Sequence, residues 1–154
     1  MNAKKILRML SVLLIGLTAT GICMVSLMAF ADPQAVMDLV GVQLSNNDAY
    51  SSIRGVYGGA GMAIVIALMY LAIKNQLQGL VFVALICGLY ALSRLITVAV
   101  EGSLGDFGQQ WLKIESTMCL LALLVLYLRT RKEKQTESSV KVSAVLEPIK
   151  PSIG

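Results

Sequence analysis

The sequence contains no histidine and few charged residues. Only 14% of its 154 residues are Asp, Glu, Lys or Arg, whereas soluble globular chains average about 25%. Without histidine the chain lacks the commonest general base and the commonest metal ligand. So few charges could not cover the surface of a water-soluble domain of this size. The composition therefore predicts a membrane protein, without a bound metal or cofactor and without catalytic residues.

Cysteine is scarce as well. Cys23, Cys87 and Cys119 lie far apart in apolar runs, and no C-x-x-C motif occurs. An odd number of cysteines argues against a complete disulfide framework. We expect all three to be small apolar core residues.

Four long apolar runs separate the charges that are present. The first, from Met9 to Ala31, has 23 uncharged residues and would span about 34 Å as a helix, enough for a hydrocarbon core of about 30 Å. The sequence predicts an all-α fold, a polytopic bundle of four transmembrane helices within a domain over residues 1–130. A disordered basic tail is expected over residues 131–154. The predicted helices cover about residues 7–31, 50–73, 77–100 and 111–129.

The first run also resembles a signal peptide. Basic residues precede it, and Ala29-Phe30-Ala31 fits an A-x-A cleavage site. Its apolar stretch exceeds the usual 7–15 residues, so an uncleaved helix is favoured. After it, Pro33 behind Asp32 predicts a short helix at the membrane surface, and the segment Ser45–Asp48 is expected to end in a helix N-cap.

The basic residues predict the orientation in the membrane. One side holds 10 of the 13 Lys and Arg residues, whereas the two loops of the other side hold five acidic residues and no basic one. The positive-inside rule then places both termini in the cytoplasm of a bacterial inner membrane. The basic residues are not interleaved with aromatic ones, so nucleic acid is not an expected partner. The groups are, on the basic side, Lys4, Lys5, Arg8, Lys74, Arg129, Arg131, Lys132, Lys134, Lys141 and Lys150, and, on the other, Asp32, Asp38, Asp48, Glu101 and Asp106.

Three charged residues fall inside the predicted helices at similar depth. At 1.5 Å per residue, Arg94 lies about 26 Å, Arg54 about 28 Å and Glu115 about 20 Å from the cytoplasmic ends of their helices. They can therefore meet in one layer in the extracytoplasmic third. Tyr57 and Tyr90 stand at helical spacing from an arginine, on the same face.

Charge within a bilayer costs about 2.5–3.5 kcal/mol at the centre on insertion scales, so such residues usually face the bundle and pair. Glu115 is expected to pair with Arg54 or Arg94, because guanidinium and carboxylate bond bidentately. The favoured interpretation is a structural layer that fixes helix register. The alternatives are a pocket for an anion or a lipid headgroup, open to the outer side, and arginines that only snorkel to the interface.

Small residues open the second helix. Gly55, Gly59 and Ala63 form a stripe with small-xxx-small spacing, Gly58 lies beside it, and Gly88 gives the third helix a similar face. Small residues let helices approach closely in lipid. Packing within the bundle is the favoured role, and homodimerisation is the alternative. A phosphate-binding loop is not expected, because no Lys-Ser/Thr follows and no strand precedes.

The segment Arg54-Gly-Val-Tyr57-Gly58-Gly59 resembles a bacterial family of four-helix inner-membrane proteins known as domain of unknown function 4345. The apolar first helix closing at Asp32-Pro33 and Arg94 followed by Glu101-Gly102 resemble it too, and the resemblance covers about residues 5–130. Ser93 stands where a glycine is common in the family. The resemblance implies the fold but no activity.

Three function classes remain at the level of sequence. The leading class is a non-enzymatic accessory or structural membrane factor, with membrane lipids and a homodimer or another membrane protein as partners. The second is binding or transport of a small anion or lipid headgroup through the charged layer. The third and least favoured is an intramembrane enzyme that uses Glu115 or Glu101 as a general acid or base.

Overall fold

The computed structural model describes the backbone of residues 3–146 and the side chains of residues 4–132, and this part of the chain contains helices and no strand. A π-helical segment, Arg54–Ala60, joins the third helix to the fourth without a break, so that Asn47–Lys74 forms one span. The helices are Ala3–Ala31 (α1), Pro33–Asp38 (α2), Asn47–Ile53 (α3), Gly61–Lys74 (α4), Gln76–Val100 (α5) and Asp106–Leu146 (α6).

Four helical spans are long and apolar enough to cross a membrane: Lys4–Ala31, Asn47–Lys74, Gln76–Val100 and Asp106–Lys132. No more than 28% of the most apolar stretch of any span is buried inside the protein. Large side chains such as Ile73 and Val100 are more than 70% exposed, which suits contact with lipid tails. The chain is thus a multi-pass membrane protein, and the predicted four-helix bundle is confirmed.

The core lies where α1 meets the other three spans. Ile15 of α1 is fully buried, as are Leu68 in α4 and Leu80 and Val83 in α5. Ala122 in α6 completes this cluster. Both α1 and α5 contact each of the other three spans, so these two helices form the centre of the bundle.

The bundle has two chemically different ends. We call the end that carries residues 32–46 and 101–105 the loop end, and the end with the short turn at Asn75 the basic end. At the basic end Asn75 accepts a hydrogen bond from the Gln78 amide and so caps α5. At the loop end Asn46 caps α3 by accepting from the Ala49 amide at 2.9 Å. The N-cap predicted within Ser45–Asp48 is therefore confirmed.

The short helix predicted after Asp32 is α2. Asp32 accepts from the Gln34 amide and Pro33 opens the helix. The Gln34 side chain then fastens the rest of the loop, since its amide nitrogen donates to Val42 O and its oxygen accepts from the Leu44 amide. Val36 and Met37 pack on Ala29, which closes the loop end of α1.

The last helix is longer than predicted at both ends. It begins at Asp106 rather than near residue 111, and its backbone stays helical to Leu146, where a disordered tail was expected from residue 131. Residues 131–135 are good helix formers without Gly or Pro, which favours continuation of the helix beyond the apolar run. Residues 147–154 of the predicted tail lie outside the described residues.

The glycines separate into two groups. A Cβ at Gly58 would lie 2.9 Å from the Phe30 ring, and one at Gly88 would lie 3.2 Å from Cys119 Sγ, so both pack within the bundle as predicted. A Cβ at Gly55 would meet no other atom, and Gly59 and Ala63 are exposed. For Gly55, Gly59 and Ala63 the predicted packing within the bundle is therefore wrong, because this side of the span faces outward.

Candidate functional site

The charged layer at the loop end contains one closed ion pair. Arg94 of α5 donates from Nε to Oε2 of Glu115 at 2.8 Å and from Nη2 to Oε1 at 3.0 Å. The Glu115 side chain is only 10% exposed and that of Arg94 is 24% exposed. Both carboxylate oxygens are engaged in this bidentate pair, so the layer holds its own charge balance between two neighbouring helices.

The two predicted tyrosines, Tyr57 and Tyr90, border this pair. The phenol of Tyr90 lies within electrostatic range of Tyr57, Arg94 and Glu115. Tyr57 and Tyr90 are both exposed, at 39% and 50%. The structure therefore brings four of the five predicted layer residues together, with the tyrosines on the outside.

Arg54, the fifth, does not join the pair. Its Nε donates to the Phe30 carbonyl at 3.3 Å, in the last turn of α1, where carbonyl groups lack helical partners. Gly58, one turn later, packs on the Phe30 ring. Arg54 thus fastens the end of α1 to the second span.

An open depression of about 350 Å³ lies beside Arg54. Asn47, Tyr50 and Ser51 line it with Arg54, and their spacing of three, four and seven residues places all four on one helical face. The sequence had singled out only Arg54 of this set. The other three carry hydrogen-bonding groups that are common on an exposed helix, and only their periodicity could have marked them.

A third arginine contact, at the basic end, was not predicted. Arg129 of α6 donates from Nη1 to Ser11 Oγ at 3.0 Å and to Gln76 Oε1 at 3.2 Å. Ser11 is fully buried, and its hydroxyl also donates to Leu7 O at 2.7 Å. Arg129 therefore ties α1, α5 and α6 together. In contrast to Arg94, its hydrogen-bond partners are neutral.

The chemical capacity of these polar groups is narrow. Within residues 4–132, no three His, Cys, Asp or Glu side chains come together as metal ligands. The cysteines are free, and Cys119 Sγ donates to Ala84 O at 3.4 Å. Every buried polar side-chain atom in this described part has a hydrogen-bond partner. The hydrogen bonds of its buried polar side chains are thus satisfied within the bundle, and Ser11 and Glu115 also link one helix to another.

The model of a family described as Domain of unknown function (DUF4345) matches residues 10–126. This confirms the resemblance that Arg54–Gly59 and Arg94 indicated. The matched region contains the Arg94–Glu115 pair and Arg54, and it ends before Arg129. No curated protein and no solved structure matches the chain.

Proposed function

For this chain, which belongs to the family described as Domain of unknown function (DUF4345), we propose a role that requires no chemistry of its own. The protein is a non-enzymatic accessory or structural factor of the membrane, which acts through contacts with other membrane components. The observation that supports this role is the closed Arg94–Glu115 pair. Glu115 is the one buried acidic side chain among those described, and the pair gives it a structural role.

The same pair counts against an intramembrane enzyme. A general acid or base must reach the proton that it transfers, within about 2.6–3.2 Å or through one water. Glu115 has both oxygens occupied by Arg94. Glu101 is exposed at the end of α5, beyond the membrane-spanning residues. Neither carboxylate is placed as an intramembrane catalyst requires.

Single replacements separate a structural layer from a functional one. We would replace Arg94, Glu115 and Arg54 with Gln in the full chain and measure folded yield in detergent beside complementation of a deletion strain. Loss of yield and complementation together for Arg94→Gln and Glu115→Gln is expected. Normal yield without complementation would refute the structural role of the pair.

The second part of the proposal is the orientation: both termini lie on the cytoplasmic side of a bacterial inner membrane. It is supported by seven of the ten described Lys and Arg side chains, which lie at the basic end, and by the described acidic side chains, which lie in the half nearer the loop end. With Cys23, Cys87 and Cys119 replaced by Ala, a cysteine introduced at Ser45 or Ser103 should react with an impermeant maleimide added outside the cell. A cysteine at Asn75 should react only after permeabilisation, and the reverse pattern would invert the topology.

We also propose that α1 is retained. Its residues Leu14, Ile15 and Ala19 are buried in the core, and Ala29 of the candidate cleavage motif is fully buried beneath α2. N-terminal sequencing of the protein purified from membranes should begin at the first residues. A start at Asp32 would overturn retention.

The proposed partner surface is the outward side of the second span, either for a second copy or for another membrane protein. Gly55, Gly59 and Ala63 leave this side open, although small residues usually serve close helix contacts in lipid. Gly55→Leu should abolish disulfide trapping of partners through a cysteine placed at Ala63. Gly16→Leu is the matched control, because a Cβ at Gly16 also meets nothing within 4 Å. Equal trapping in both variants would remove this surface from consideration.

The second candidate function, binding of a small anion or lipid headgroup at the loop end, has support from Arg54 alone. Only its Nε is engaged, and the open depression lies beside it. Arg54→Gln should then abolish any binding of phosphate-containing headgroups at this end. Asp32, Asp38 and Asp48 surround the same end with negative charge, which is why this candidate ranks second.

A further inference from the structure

Arg129 carries a charge that the described part of the protein does not neutralise. It is about half-buried at the basic end, and both of its hydrogen-bond partners, Ser11 and Gln76, are neutral. By contrast, Arg94 at the opposite end is neutralised by its ion pair with Glu115. A partly desolvated guanidinium is stable when a counter-charge is near, so an anion from the surroundings would complete this contact.

Further basic residues lie on the same side of α1. Lys4, Arg8 and Ser11 are spaced by four and three residues, which aligns them along one helical face. Lys4 and Arg8 are exposed, and Ser11 contacts Arg129 directly. We define the group Lys4, Arg8 and Arg129, with Ser11 and Gln76, as the basic seam. Within it, the Ser11–Arg129 hydrogen bond joins α1 to α6.

The position of the basic seam indicates which kind of anion it binds. Gln76 is the first residue of α5, and the outermost residues of the neighbouring spans are Lys4 and Lys132, so the seam stands at the membrane surface. Phospholipid phosphates lie at that level. Guanidinium groups bind phosphate bidentately, and Arg129 is already held in place by Nη1, so little side-chain freedom remains to be lost on binding.

We propose that the basic seam is a binding site for the headgroup of an anionic phospholipid, with Arg129 and Arg8 as the phosphate donors. The lipid completes the charge balance of Arg129 and covers the line where α1 meets α6. Binding of lipid at the seam is independent of the accessory role and of the open side of the second span. Each can fail without the other.

The test uses the full chain in a neutral detergent with equal amounts of phosphatidylglycerol and phosphatidylcholine. Native mass spectrometry then gives the ratio of protein bound to each lipid. Wild type should favour phosphatidylglycerol, and Arg8→Gln and Arg129→Gln should each lower the ratio about fivefold, which corresponds to about 1 kcal/mol per basic residue near an anionic surface. Arg8 is exposed, so its replacement keeps the fold and the test stays interpretable even if Arg129→Gln unfolds.

Lys113→Gln is the matched control, because it removes one exposed positive charge from the opposite end. It should leave the ratio unchanged. An equal fall would show that the preference for phosphatidylglycerol depends only on net charge, and would overturn the site. Displacement of the lipid by inorganic phosphate, but not by chloride of equal ionic strength, would assign the site to a free anion and also overturn it.

Glu133→Gln should not lower the unfolding midpoint. A fall that matches Arg129→Gln would make Glu133 the counter-charge and refute the proposal.

Discussion

The last span, Asp106–Lys132, takes part in one arginine contact toward each of its ends, and the two contacts differ in how the charge is balanced. At the loop end, Arg94 meets Glu115 in a bidentate ion pair between helices that follow each other in sequence. At the basic end, Arg129 reaches Ser11, which is 118 residues away, and Gln76, and so joins three helices through neutral groups. The chain therefore supplies its own counter-charge at the deeper contact and none among its described side chains at the shallower one.

This difference follows from depth in the membrane. Glu115 lies nine residues inside its span, where an unpaired charge has no solvent. Arg129 lies three residues from the end of the same span, within reach of headgroups and water. The arginine of the deeper contact therefore needs a carboxylate from the protein. At the shallower contact the surroundings can supply the counter-charge.

The largest effect is expected from breaking the ion pair at one side. Glu115→Leu leaves Arg94 partly buried without its partner, which should lower the free energy of unfolding by about 3 kcal/mol, the low end for buried pairs because Arg94 is a quarter exposed. Unfolding by SDS titration in mixed micelles measures this loss. The double variant Arg94→Leu/Glu115→Leu should recover most of it, and additive losses would contradict the pairing as its cause.

A smaller effect is expected at the basic end. Arg129→Gln removes two hydrogen bonds but leaves no buried charge behind, because both partners of Arg129 are neutral. The Ser11 hydroxyl also keeps its hydrogen bond to Leu7 O. The loss should be about 1.5 kcal/mol in the same SDS titration, the scale of hydrogen bonds that involve one charged group. Arg129→Gln/Ser11→Ala should lose little more than Arg129→Gln alone. A loss as large as that of Glu115→Leu would erase the distinction between the two ends.

The smallest effect is expected for Arg54, the arginine outside both contacts. Arg54→Gln removes one hydrogen bond of 3.3 Å from an exposed side chain, so the expected loss is about 0.5 kcal/mol. Thermal unfolding in micelles should place the variant within a few degrees of wild type. A loss above that of Arg129→Gln would show that the end of α1 depends on this contact more than its geometry indicates.

The ion pair was predictable in kind because charged residues are rare inside apolar runs, and their depth follows from counting residues. Which arginine pairs with Glu115 was not, since Arg54 and Arg94 lie at similar depths. The choice depends on how α5 packs along α6. The neighbouring Phe30 carbonyl, which accepts from Arg54, is invisible in a sequence pattern.

The basic end was harder to predict for the opposite reason. Arg129 belongs to a cluster of basic residues beside an apolar run, which is common in membrane proteins, so nothing in the sequence separated it from its neighbours. Ser11 and Gln76 are neutral and common. Only the tertiary structure, which brings the two ends of the sequence together, identifies this contact.

The π-helical segment Arg54–Ala60 determines how the side chains of α3 are oriented relative to α4. A π-type hydrogen bond encloses one residue more than an α-type bond, so the segment changes the angular phase between α3 and α4. If the chain were one residue shorter there, the span would return to α-helical phase, and Asn47, Tyr50 and Arg54 would turn by about 100° relative to α4. Arg54 would then swing away from Phe30. The wide turn acts as a built-in rotation that brings Arg54 to the Phe30 carbonyl of α1.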